Sequence, residues 1–259
     1  MHWRRLAAWS SLVLTMFFAA GCEALSSPQN TFAPEGTVAD DQKTYFLIVM
    51  WPALAIMILV FGLILFIAVK FRRKSGDAGL PKQVHGNTPM ELTWTILPAV
   101  LLTIIAIPTV AGIRDLGREP ADDAFRVNVN GVQWAWLFEY PDIDAGGAPL
   151  QGEVDELRIP VGEEIGFNIT SSDVNHSFWI PKLAGKIDAV NNHPNHLWIK
   201  ADRAGTYEGQ CAEFCGLDHS QMRFRVIAME RTDFDAWVAE QTAAARVRNA
   251  AQSGVVGGE

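Results

Sequence analysis

The sequence predicts a membrane α hairpin of two transmembrane helices followed by an all-β sandwich. Two observations carry the prediction. Two long uncharged apolar runs flank a basic loop within the first 113 residues, and from Phe125 onward apolar residues alternate with polar ones between short turns containing Gly and Pro. A third observation, a group of soft metal donors late in the β region, indicates what its loops hold.

Residues 1–22 read as a secretory signal: Arg4 and Arg5, an apolar stretch Leu6–Ala20, then small residues before Cys22. The Ala-Gly-Cys ending resembles a bacterial lipoprotein processing site, with Cys22 as the lipidated terminus; cleavage by ordinary signal peptidase or a retained helix are the alternatives. Residues 23–43, with Pro28, Pro34 and Gly36, are expected to be an exposed linker.

Residues 44–114 form the expected transmembrane hairpin. Tyr45 to Val69 is apolar and uncharged, roughly 37 Å long as a helix, enough to span a bilayer with tilt. Lys70, Arg72, Arg73 and Lys74 follow, so this end faces the cytoplasm. Leu92 to Ile113 is the second span, kinked at Pro98 and Pro108 and returning the chain to the outer side.

The sandwich is expected over residues 120–231. Val127/Val129, Ile165/Phe167/Ile169 and Met222/Phe224/Val226/Ala228 show the period-two pattern, and further strands are expected near 132–140, 154–159, 176–181, 195–200 and 204–209. Residues 232–259 read as an amphipathic helix to about Ala250, with Phe234, Trp237, Val238 and Ala245 near one face, then a disordered tail from Ser253.

The donor group is Cys211-Ala-Glu213-Phe-Cys215-Gly-Leu-Asp-His219-Ser-Gln-Met222, with a further imidazole upstream at His176. Thiolates, thioether and imidazole together favour copper over hard cations. A mononuclear blue-copper site needs one Cys; two bridging thiolates suit two copper ions, with His176 and His219 on one each and Met222 terminal. A Cys211–Cys215 disulfide leaves His219 and Met222 unexplained, and a Cys2His2 zinc site leaves Met222 idle. His193 and His196 read as surface or turn residues.

Gly209 to Met222, with His176 in a His-Ser-Phe-Trp context, closely resembles the copper A loop of subunit 2 of haem-copper cytochrome c oxidases. The resemblance runs from about residue 40 to 231 and implies a cupredoxin-like Greek-key sandwich holding a binuclear copper centre that accepts electrons from cytochrome c. It implies ligands His176, Cys211, the Glu213 carbonyl, Cys215, His219 and Met222. It further implies a magnesium ion on the Glu213 side chain, shared with the haem-bearing catalytic subunit 1, with Asp188 near the same boundary. Haem lies in that partner alone. Glu91, in His85-Gly-Asn-Thr-Pro-Met-Glu91, matches a carboxylate at the mouth of a proton channel; the plain reading is an acid at a helix start. Trp134, in Gly131-Val-Gln133-Trp134-Ala-Trp136, matches the residue where the electron enters, although Trp134 and Trp136 share strand parity. Gln133, Glu139 and Asp173 are the expected docking residues for a cationic cytochrome c. From Ala121 to Arg231 seventeen acids and nine bases give a net charge of −8.

The expected function is thus the electron-accepting subunit of a terminal oxidase in a bacterial plasma membrane, with the copper domain outside, partnered by subunit 1, further oxidase subunits and cytochrome c. The whole-chain net charge, also −8, argues against nucleic acid. Absence of Cys-x-x-Cys-His means this sequence carries no haem motif of its own. A membrane-anchored copper carrier would need one anchor rather than two, nitrous oxide reductase needs a large further domain, and a quinol oxidase subunit 2 would lack the copper ligands.

Overall fold

The computed structural model describes Trp9, residues 27–73, Gly79, Gln83 and residues 85–256, with side chains to residue 250. The signal and its Cys22, and most of the loop after Arg73, lie outside the described residues. The chain divides into two units: Thr44–Leu116, and the residues up to Lys43 together with those from Gly117 onward.

The helical unit takes most of α1 (Thr37–Lys70) and all of α2 (Thr88–Leu116). Both helices are long and apolar enough to cross a membrane. Phe61, Leu65, Leu102 and Ile107 point outward on different faces, as expected of helices solvated by lipid. Gly112 near the end of α2 meets Tyr45 near the start of α1; a Cβ there would lie 2.7 Å from the tyrosine ring. The contact makes the pair antiparallel. Thr93, Thr95, Thr103 and Thr109 donate their hydroxyls to carbonyls one turn back, at 2.8–2.9 Å, so these polar groups are satisfied within α2. Asn87 caps α2: Met90 N–H donates to Asn87 Oδ1 (3.3 Å), and Asn87 N–H donates to Glu91 Oε1 (3.0 Å).

The other unit contains, among the described residues, a cupredoxin-like Greek-key sandwich of ten strands: β1 Phe125–Val132, β2 Ala135–Asp144, β3 Pro149–Gln151, β4 Glu156–Pro160, β5 Ile165–Ser171, β6 His176–Trp179, β7 Lys186–Ala189, β8 Asn195–Ile199, β9 Gly205–Cys211 and β10 Arg223–Met229. One sheet runs β3-β2-β1-β5-β8, the other β4-β10-β9-β6-β7. β1 with β5 and β4 with β10 are parallel; the remaining pairs are antiparallel. Alternation decides what is buried: Val127 and Val129 of β1, Trp136, Phe138 and Tyr140 of β2, and Phe224, Val226 and Ala228 of β10 all point between the sheets. Phe178 stacks on Phe224 at 4.8 Å and meets Trp136 edge-on at 5.3 Å, filling the end of the core nearest the donor group.

Two expectations are corrected. Residues 27–43 are not an exposed linker. Glu35 N–H donates to Lys182 O (2.8 Å), Thr37 N–H to Lys200 O (3.2 Å) and Ala39 N–H to Leu183 O (3.2 Å), while Val38 and Ala39 are buried. Gly36 is present for contact, not flexibility: a Cβ would sit 2.7 Å from Lys200 O. Secondly, Ser253–Val256 continue α3 (Arg231–Val256) rather than forming a disordered tail; the Ala-rich stretch before them favours helix, although Ser-Gly-Val-Val itself does not. α3 docks on the sandwich through buried Phe234, Trp237 and Ala245, with Phe234 against Phe125 at 5.4 Å and Trp237 against Tyr140 at 5.4 Å.

Candidate metal centre

The donor group lies where β6, β9 and the β9–β10 loop meet. Cys211 ends β9 and Met222 immediately precedes β10; Cys211 N–H donates to Met222 O (2.9 Å), closing the neck of the loop. Ala212 N–H donates to Ser177 O (2.9 Å), which ties the loop to β6 and places His176 beside it. Gly216 turns the loop at φ 129°, a conformation costly for any residue with a Cβ. His219–Gln221 form a single 3-10 turn that points His219 back toward Cys215.

The donors converge. Cys211 Sγ lies 3.9 Å from both His176 Nδ1 and Cys215 Sγ, and 3.2 Å from the Glu213 carbonyl. Cys215 Sγ lies 3.7 Å from both His219 Nδ1 and Met222 Sδ. His176, Cys211, Cys215 and Met222 are all buried. Both cysteines are free thiols. Burial, then the neighbouring Cys211, pushes the Cys215 thiol up to about 12, so metal binding must displace protons here. Each thiol has its own imidazole, and Met222 joins the Cys215 side. A thioether inside the group fits copper and suits zinc poorly.

Asp173 holds His176 from behind: its Oδ1 lies 2.8 Å from Nε2, and its Oδ2 accepts Gln133 N–H at 2.7 Å. Burial alone would raise the Asp173 pKa, but hydrogen bonds from His176 and the Gln133 and Val174 amides outweigh it and hold it low. Gln133 Nε2 donates to Cys215 O (2.7 Å), so Gln133 bridges Asp173 and the loop. Trp134 is not a strand residue: with Gln133 it forms the turn between β1 and β2, and its indole lies against Gly216. Trp136 is fully buried, edge-on to His176 at 5.9 Å.

The other expected site residues lie apart from the donors. Glu139 is on the outer face of β2, accepting from Asn128 (2.8 Å) and Gln151 (2.8 Å). The Glu213 side chain is exposed, as are Asp188, His193 and His196. Glu91 sits at the cap of α2. One positioning residue escaped the sequence reading: a Cβ on Gly131 would lie 2.9 Å from His176 Cδ2. A glycine inside an alternating strand was the available signal.

Two family models match this chain: the cytochrome c oxidase subunit II periplasmic domain over residues 142–229 and the subunit II transmembrane domain over residues 30–111. Cytochrome c oxidase subunit 2 of Alkalihalophilus pseudofirmus is 38% identical over 245 residues, covering 91% of this chain and 68% of that protein. The chain belongs to the cytochrome c oxidase subunit II family. Quinol oxidase subunit 2 of Bacillus subtilis is 34% identical over 234 residues, covering 88% of this chain and 70% of that protein. The crystal structure of the periplasmic domain of subunit II of the Bradyrhizobium japonicum cytochrome oxidase is 31% identical, covering 49% of this chain and 99% of that one with a TM-score of 0.45. This subunit II chain is therefore a membrane protein with an extracytoplasmic sandwich, and it works in an oxidoreductase with other oxidase subunits.

Proposed function

We propose that this chain is the electron-accepting subunit of a terminal respiratory oxidase, with a binuclear copper A centre held by His176, Cys211, the Glu213 carbonyl, Cys215, His219 and Met222. The observation that carries the reading is the paired donor arrangement: two buried thiols 3.9 Å apart, each facing its own imidazole Nδ1. When bound, the copper pair takes up and releases one electron. The chain's part is to hold the donors still. β6 and β9 fix His176 and Cys211, the closed neck fixes Met222, and Gln133 braces the Cys215 carbonyl. A rigid donor set limits rearrangement when the charge changes.

The donor in this reading is a cationic cytochrome c, docking over Trp134 and steered by acids of the sandwich, Glu139 among them. The acceptor is the haem-bearing subunit 1, where dioxygen is reduced to water and protons are pumped. A magnesium ion at that boundary takes the exposed Glu213 carboxylate, with its other ligands from water and the partner. Glu91 stands at the mouth of the proton channel. The membrane is the bacterial plasma membrane.

The relationship to quinol oxidase subunit 2 supplies the alternative, in which electrons come from a quinol and no copper is needed. The intact soft donor set favours copper. Purified full-length chain should contain two coppers and give a delocalised mixed-valence EPR signal that Cys211→Ser and Cys215→Ser each abolish. A single-copper blue spectrum, or no copper, overturns the reading.

A further inference from the structure

Asp155 lies far from the donor loop in sequence, yet it clips the two sheets together behind it. Its Oδ1 accepts the Trp136 N–H (2.7 Å), its own N–H donates to Trp136 O (3.0 Å), and its carbonyl accepts Arg225 N–H (2.9 Å). Trp136 belongs to the first sheet and Arg225 to the second. Asp155 makes these bonds from a left-handed backbone, φ 59°, which Asp and Asn tolerate better than most residues. The Trp136 ring is enclosed between the sheets against His176, Phe178 and Phe224, with centroids at 5.9, 5.3 and 5.7 Å. Among the described residues its indole N–H has no hydrogen-bond partner, so no hydrogen bond at the ring itself sets its depth. The backbone does, and Asp155 grips that backbone on both sides.

We infer that Asp155 is a positioning residue for the metal centre: by clamping the Trp136 backbone it sets the aromatic wall against which the His176 imidazole rests. Asp173 holds the far nitrogen of His176, and the Trp136 ring limits its tilt; together they leave the imidazole one orientation toward Cys211. The inference rests on His176 being a ligand, as proposed above.

The test uses full-length chain in detergent with three variants. Asp155→Gly suits the left-handed backbone but removes the carboxylate. Asp155→Glu keeps the charge on an arm one methylene too long. Asp155→Asn keeps both the conformation and an Oδ1 acceptor. In metal-free chain, the Gly and Glu variants should shift the His176 imidazole resonances by NMR, because the ring current of Trp136 moves relative to them, and Asn should restore them. Copper affinity should fall about 10-fold in Gly and Glu and recover in Asn, as for other supporting partners of a ligand. A folded Gly or Glu variant with wild-type His176 resonances or wild-type copper affinity overturns the inference. If Gly does not fold, Glu alone decides. Failure of wild-type chain to bind copper would refute the copper reading, while the metal-free resonances still report on Asp155.

Discussion

Asp173 and His176 are joined by a 2.8 Å hydrogen bond between carboxylate Oδ1 and imidazole Nε2. A carboxylate held ionised can only accept, so Nε2 carries the proton and Nδ1, facing Cys211, is free to ligate. Asp173 also accepts from Gln133 N–H and Val174 N–H. It is thus occupied inside the site, although a third of its side chain remains accessible. Asp173→Asn should change the copper EPR spectrum, raise the reduction potential and weaken copper binding about 10-fold. Glu139→Gln, on the outer face of β2, should leave all three unaltered and only flatten the salt dependence of cytochrome c association.

Gly131→Ala should disturb the same ligand sterically. The added methyl would lie 2.9 Å from His176 Cδ2, and the fully buried ring has no space to retreat. Denaturant unfolding should show a loss of about 1–3 kcal/mol. Copper titration should show incomplete or single-ion loading, and a variant with two coppers and native stability would contradict this geometry.

Trp134 sits in the β1–β2 turn with its indole against Gly216 of the donor loop. Trp134→Ala should leave cytochrome c association and its salt slope nearly intact and cut electron transfer within the formed complex severely. Flash photolysis of a pre-formed complex separates the two; normal transfer after binding would move the point of electron arrival elsewhere on this face.

Glu164 offers a test by pH. Arg118 forms a two-pronged bond to its carboxylate, 2.9 and 2.6 Å, and Ala121 N–H adds a third at 2.7 Å. The Arg118 hydrogen bonds, outweighing desolvation, hold the Glu164 carboxyl below the usual carboxylate range. A depressed folded-state pKa adds stability above the unfolded value, about 4.3, and loses it as pH falls through the folded one. Glu164→Gln should therefore cost about 1 kcal/mol at pH 7. The gap between variant and wild type should close below about pH 4, as read from thermal unfolding across pH.

Much of this was legible in the sequence because burial leaves a period. The strands carrying Val127, Phe167 and Phe224 alternate, and Cys211, Cys215, His219 and Met222 fall at spacings that one short loop can close. β3 and β7 were missed because strands of three and four residues have too few alternations to register. Trp134 shares parity with Trp136 in the sequence, but parity has meaning only within a strand, and the turn begins between Val132 and Ala135. Gly36 and its neighbouring prolines looked like flexible chain because composition cannot distinguish a glycine that frees the backbone from one that admits a neighbour. Asp173 looked like surface charge because Gln133, which locks its second oxygen, comes from a distant stretch of chain.

The hydrogen bonds from Glu35 and Thr37 to Lys182 and Lys200 have a topological consequence. Amide groups cannot bond through a bilayer, so residues on both sides of the hairpin must emerge into the same compartment. The number of crossings between Thr37 and Lys182 is therefore even, and the two apolar helices supply that number without appeal to the charges of the connecting loop. The order of synthesis follows. Residues 35–39 leave the ribosome before the apolar span of either helix, and their partner residues only after both, so these hydrogen bonds form once the hairpin has been threaded.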